Sequence, residues 1–93
     1  MSYNEEDIEI ICVDSSCSRV PSGSRVVLNG PMLNLKECDV VCMTALQAIY
    51  PYIISARFRV PPERFGFTDG RFVLQCPDRS CPAIFEIRRL KED

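Results

Sequence analysis

One stretch of this 93-residue chain carries helical periodicity, and it ends at a barrier no helix crosses. Apolar side chains recur at Cys42, Met43, Leu46, Ile49, Tyr50, Ile53 and Ile54. That is the i, i+3, i+4 stripe of a helix facing a core. Asp39 offers an N-cap, since its side-chain oxygen can accept a free N–H of the first turn. Val60-Pro61-Pro62 cannot continue a helix, so failure is expected near Arg57 to Arg59. Pro51 lies inside the stripe and predicts a kink or a restart.

The flanking segments read as strands. Ile8 to Val13 is rich in β-branched residues and partly alternating, and Asp14-Ser15-Ser16 closes it as a turn. Arg25-Val26-Val27-Leu28 is a second short strand, ended by Asn29-Gly30-Pro31, and Met32 to Leu35 is a further short extended piece. Phe72 to Cys76 and Ala83 to Arg88 form a hairpin around Pro77-Asp78-Arg79-Ser80. The fold class is therefore α+β. A small antiparallel sheet in β-β-α-β-β order carries one Pro-kinked helix on one face, with a strand from each chain end near its centre. Residues 1–93 make a single domain, of which 1–7 and 91–93 are expected to fray.

A net charge of −2 leaves no electrostatic footprint for nucleic acid or an anionic membrane, so neither partner is expected. The positive charges nevertheless cluster, with Arg57, Arg59 and Arg64 in one stretch and Arg88, Arg89 and Lys91 in another. Such runs are usually solvated faces; the alternative is a site for a small anion or an acidic partner. The acidic start, Met1 to Asp7, has no basic and apolar leader, and the longest apolar stretch, Val40 to Phe58, is too interrupted to span a bilayer. The expected compartment is the reducing cytoplasm, where cysteines signify metal binding, catalysis or packing. A small domain with open sheet edges is also expected to pair with itself or with an unidentified protein partner.

The chain has no histidine, which removes Ser-His-Asp and Cys-His nucleophiles and histidine metal ligands. It has no phosphate-binding glycine loop either. An enzyme is less expected than a binding domain, and the distinctive chemistry is that of six cysteines.

Two cysteine pairs share one pattern: Cys12-Val-Asp-Ser-Ser-Cys17 and Cys76-Pro-Asp-Arg-Ser-Cys81 both read C-x-D-x-S-C. Two such turns from neighbouring strands could place four thiolates around one metal. Short disulfides, Cys12–Cys17 or Cys76–Cys81, are the oxidised alternative. Cys42 stands apart. With Asp39 as N-cap it is the third helical residue, near the positive end of the helix dipole, which favours a thiolate. Otherwise it is a small buried hydrophobe on the helix's inner face.

Several stretches resemble a small prokaryotic family of about this length that has no assigned function. They are Val41-Cys42-Met43-Thr44-Ala45 running into Ile49-Tyr50-Pro51-Tyr52-Ile53, then Cys76-Pro77-Asp78, then Ile84-Phe85-Glu86-Ile87. The resemblance spans Cys17 to Leu90 and implies three principal cysteines, Cys17, Cys42 and Cys76, with Asp78 beside the last. It does not single out Cys12, Cys38 or Cys81, and it favours a sulfur cluster at one end of the sheet, to which Cys81 or Asp78 is the candidate fourth group. Such a cluster would bind a thiophilic metal, zinc first, or an iron–sulfur centre. The alternatives are a thiol-based redox accessory or enzyme, with Cys42 as reactive thiol and Cys76 or Cys17 resolving, and an interaction module in which the cysteines merely pack.

Overall fold

The computed structural model describes residues 6–80 and 82–90. An open five-stranded antiparallel sheet is built from β1 (Ile8–Ser15), β2 (Arg25–Asn29), β3 (Met32–Leu33), β4 (Phe72–Gln75) and β5 (Ala83–Arg89). The spatial order is β3-β2-β1-β5-β4, so the strands from the two chain ends do meet near the centre. The class is α+β as expected. The element order gains β3, a two-residue strand that folds back on β2 through Asn29↔Met32.

Helix α1 (Met43–Arg57) covers one face only. Ile10 is the hinge of that face: it opposes Val26 on one side and Ile87 on the other, and Ile87 in turn opposes Phe72. Onto this row α1 lays Ala45, Ile49, Ile53 and Ala56, all buried. Burying a side chain such as Ile53 contributes roughly 1.5–3 kcal/mol. Tyr52 and Phe67 pack with buried Phe72 against the core, each set edge-on to neighbouring rings, and the exposed Phe65 meets Tyr52 from outside.

The helix corrects the sequence expectation in two places. It begins at Met43 with Cys42 as N-cap. Asp39 caps a strand instead: its carboxylate accepts the Arg25 N–H at 3.0 Å and its own N–H donates to the Arg25 carbonyl. Second, Met43, Tyr50 and Ile54 lie on the exposed side. The buried stripe runs through the alanines, which let the helix approach the sheet closely. At Pro51 the helix continues without a restart. Pro51 and Gln47 are both exposed, so the carbonyl that loses its donor faces water.

The helix ends where the prolines demand. Val60 N–H reaches back to the Ser55 carbonyl and Arg59 N–H to that of Ala56, with Arg59 itself left-handed at φ 63°. This is the two-bond terminus that glycine usually occupies. Arg59 there is a local conformational cost.

Glu6 and Asp7, at the end of the segment expected to fray, both make hydrogen bonds to the body of the domain. Glu6 N–H donates to the Arg57 carbonyl, and Asp7 accepts from both Gly30 and Leu90. The remaining positions expected to fray, 1–5 and 91–93, lie outside the described residues. Among the described residues, no helix is long and apolar enough to cross a membrane.

Candidate functional site

The two C-x-D-x-S-C segments do not fold alike. The first is mostly strand: Cys12 lies in β1, 1 % exposed, opposite Phe85, and the ladder slips between Cys12 and Asp14. The second is a turn closed by Asp78, whose carboxylate accepts both the N–H and the hydroxyl of Ser80. Those hydrogen bonds hold the Asp78 carboxyl below its ordinary range.

Cys17 and Cys76 come to the same end of the sheet. Ser16 N–H donates to the Pro82 carbonyl and Cys76 N–H to that of Ala83, so β1 and β4 finish on either side of the start of β5. Both cysteines are buried. Their chemical states differ, because Cys17 is disulfide-bonded whereas Cys12, Cys38, Cys42 and Cys76 are free thiols. The short pairings Cys12–Cys17 and Cys76–Cys81 are thereby excluded. Cys81 lies outside the described residues, and so does its role as a fourth ligand. A sulfur held in a disulfide is not a thiolate ligand. Among the described residues, no group of three or more His, Cys, Asp or Glu side chains is placed to hold a metal ion.

Cys42 caps α1 without a side-chain cap bond. It lines an apolar cavity of about 20 Å³ against Ile10, Val26 and Phe85, room for little beyond a single water. Cys38 has a structural task that the sequence did not reveal. Its sulfur accepts the Val27 N–H at 3.3 Å and its thiol faces the Val27 carbonyl at 3.7 Å. With Asp39 on Arg25 and Asn34 N–H on Val27, the segment 34–39 covers the outer edge of β2.

A large concavity lies at the other end of the sheet. A groove of about 570 Å³ opens between the end of α1 and the far ends of β4 and β5. Sites that enclose small ligands span roughly 300–1,000 Å³. Four arginines line it: Arg59 past the helix terminus, Arg71 before β4, and Arg88 and Arg89 at the end of β5. Val60-Pro61-Pro62 forms one wall, and Phe72 and Ile87 contribute apolar surface.

One carboxylate, Glu86, lies within this lining, and it is buried at 6 % exposure. Arg88 binds it with two donors, Nε at 3.1 Å and Nη2 at 3.3 Å, and Arg71 Nη1 approaches at 3.5 Å. The Arg88 hydrogen bond, with the charges of Arg88 and Arg71, holds the Glu86 carboxyl below its usual range against the opposing effect of burial. Arg59 pairs with Glu6, and Arg71 also reaches Asp69 at 3.8 Å. Arg89 has no side-chain ion pair among the described residues.

The sequence had marked Arg59, Arg88 and Arg89 as members of two separate charge runs. The fold brings these three arginines to one groove, while Arg64 of the first run is not in the lining and Lys91 lies outside the described residues. It leaves Arg57 out of the lining, buried under the helix terminus with its guanidinium over the Phe58 ring. Arg71 and Glu86 were missed as site residues. The signal for Glu86 was its period-2 spacing from Arg88 in a strand, which puts both on one face.

No family model, no curated protein and no solved structure matches the chain.

Proposed function

We propose that this domain is a binding module, not an enzyme, whose arginine groove takes an anionic ligand bearing carboxylate or phosphate groups. The observation that carries this is the convergence of Arg59, Arg71, Arg88 and Arg89, from three separate elements, on one concavity of an acidic protein. Guanidinium groups bind such anions through paired N–H donors in a planar fork, and Glu86 holds two of the forks in place. Among the described residues that line it, the groove offers no nucleophile, and their one carboxylate is committed to ion pairs. Binding and orientation are what these side chains can do.

The test is calorimetric titration at low ionic strength with inorganic phosphate and with an acetylated, amidated glutamate–valine–glutamate peptide. Binding of either, weakened about tenfold in the Arg88→Gln/Arg89→Gln protein and by added salt, is the expected result. No binding of either probe at millimolar concentration refutes the proposal.

A second proposal rests on the meeting of Cys17 and Cys76 at one sheet end. Once the Cys17 disulfide is reduced, Cys17, Cys42 and Cys76 would hold zinc or an iron–sulfur centre, with Cys81 or Asp78 as the fourth group. The measurement is metal content of anaerobically purified, reduced protein. One tight metal per chain, lost in Cys76→Ser, supports this proposal, and a metal-free reduced protein rejects it.

A further inference from the structure

The two sides of β5 are unequally paired. On the β1 side the ladder continues through Ile8↔Arg89, and Leu90 N–H adds a bond to the Asp7 carbonyl. On the β4 side it stops at Phe72↔Ile87. The direction of the exposed groups follows from the alternation of antiparallel strands. Cys76 N–H donates to the Ala83 carbonyl, so the odd residues Ala83, Phe85, Ile87 and Arg89 turn their backbone groups toward β4. Leu90, bonded to Asp7, confirms that the even residues face β1. Arg89 therefore aims its N–H and C=O past the start of β4. No backbone group among the described residues meets them from that side.

Continuing the β4 register by two residues would set Gly70 opposite Arg89. The chain instead turns away there, with Gly70 at φ 69°, and both residues line the groove. The facing wall cannot supply the missing donor, because Pro61 and Pro62 have no N–H. Their carbonyls are already taken by Arg64 and Phe67.

We infer that the groove's occupant is an extended acidic segment of another protein, which adds to β5 at Arg89 in line with β4. The inference rests on the anion-binding proposal above and names its ligand class. An extended residue there exchanges two backbone hydrogen bonds with Arg89, as in recognition by strand addition. Its neighbouring carboxylates meet the guanidiniums of Arg59, Arg71 and Arg88, and an apolar side chain between them meets Phe72 and the proline wall. Charge complementarity selects an acidic segment, and the unpaired strand end selects an extended one. A free phosphate satisfies the guanidiniums but leaves the Arg89 carbonyl without a donor.

The test compares the acetylated glutamate–valine–glutamate peptide with the same peptide N-methylated on every backbone amide, on the intact chain. Two results are expected: the methylated peptide binds about tenfold more weakly, and the unmodified peptide slows hydrogen exchange of the Arg89 amide. Methylated and unmodified peptides binding equally, both weakened in Arg88→Gln/Arg89→Gln, overturn strand addition and leave the anion site standing. Failure of both peptides and of phosphate to bind overturns the inference together with the proposal beneath it.

Discussion

Replacing Glu86 with glutamine tests whether the groove is organised by charge. The substitution keeps the shape and one acceptor oxygen while removing the charge. Glu86 takes three guanidinium contacts, at 3.1, 3.3 and 3.5 Å. Hydrogen bonds to charged groups are worth about 1.5–3 kcal/mol when buried. Here the carboxylate is 8 % exposed, but the Arg71 and Arg88 side chains are 53 % and 44 % exposed. Solvent screening brings each pair toward the surface value of about 0.2–1 kcal/mol. The expected loss at pH 7 is therefore roughly 1–2 kcal/mol for the two pairs together. For a domain this small that lowers Tm by roughly 5–15 °C. Acid supplies the control. The folded-state pKa of Glu86 is depressed, so its contribution is present above the unfolded-chain value of about 4.3 and is lost as pH falls through the lowered folded value. Urea unfolding of both proteins at pH 7 and near pH 2.5 should show the gap closing in acid. An equal gap at both pH values would mean that Glu86 acts by packing, and no gap at pH 7 would refute the pairing altogether.

Three further outcomes are expected. Cys38→Ala removes the acceptor of the Val27 N–H, a residue 2 % exposed, and should cost about 1–2 kcal/mol by chemical denaturation. Cys38→Ser should recover part of that loss, and full stability of the alanine variant would show the thiol to be incidental. Arg59→Gly relieves a left-handed residue worth about 1–2 kcal/mol and gives up only a surface ion pair, so Tm should rise while peptide affinity falls. Unchanged peptide affinity would contradict the assignment of Arg59 to the groove, and a fall in Tm would contradict the strain at φ 63°. Reducing the Cys17 disulfide should lower stability by about 2–4 kcal/mol, measured by thermal melts with and without dithiothreitol; identical melts would show that the bridge constrains nothing.

Much of the fold was legible because its signals are local. The helix end at Arg57 followed from Val60-Pro61-Pro62, and the β4–β5 hairpin from two short apolar runs around a turn. The helix start was misplaced because Asp39 satisfies a capping rule equally well at a strand edge, a choice made by Arg25 fourteen residues away. The repeated cysteine pattern misled for a related reason. Identical spacing was spent on a strand in one copy and on a turn in the other, and ladder pairing with β5 decided which. The groove was legible only in halves. Charge runs at Arg57 to Arg64 and Arg88 to Lys91 were visible, but their meeting through Arg59, Arg88 and Arg89 depends on α1 ending beside the tail of β5. The side of Arg89 that no backbone group among the described residues meets could not be read at all, since it depends on β4 being shorter than its partner.

The most direct test of the arginine groove as the binding site is a map of backbone amide shifts during titration with the glutamate–valine–glutamate peptide. The account predicts shifts at Arg59, Arg71, Phe72, Ile87 and Arg89, with Cys17, Cys42 and Cys76 at the distant end unmoved. Shifts centred on those cysteines, or none at millimolar peptide, would contradict it.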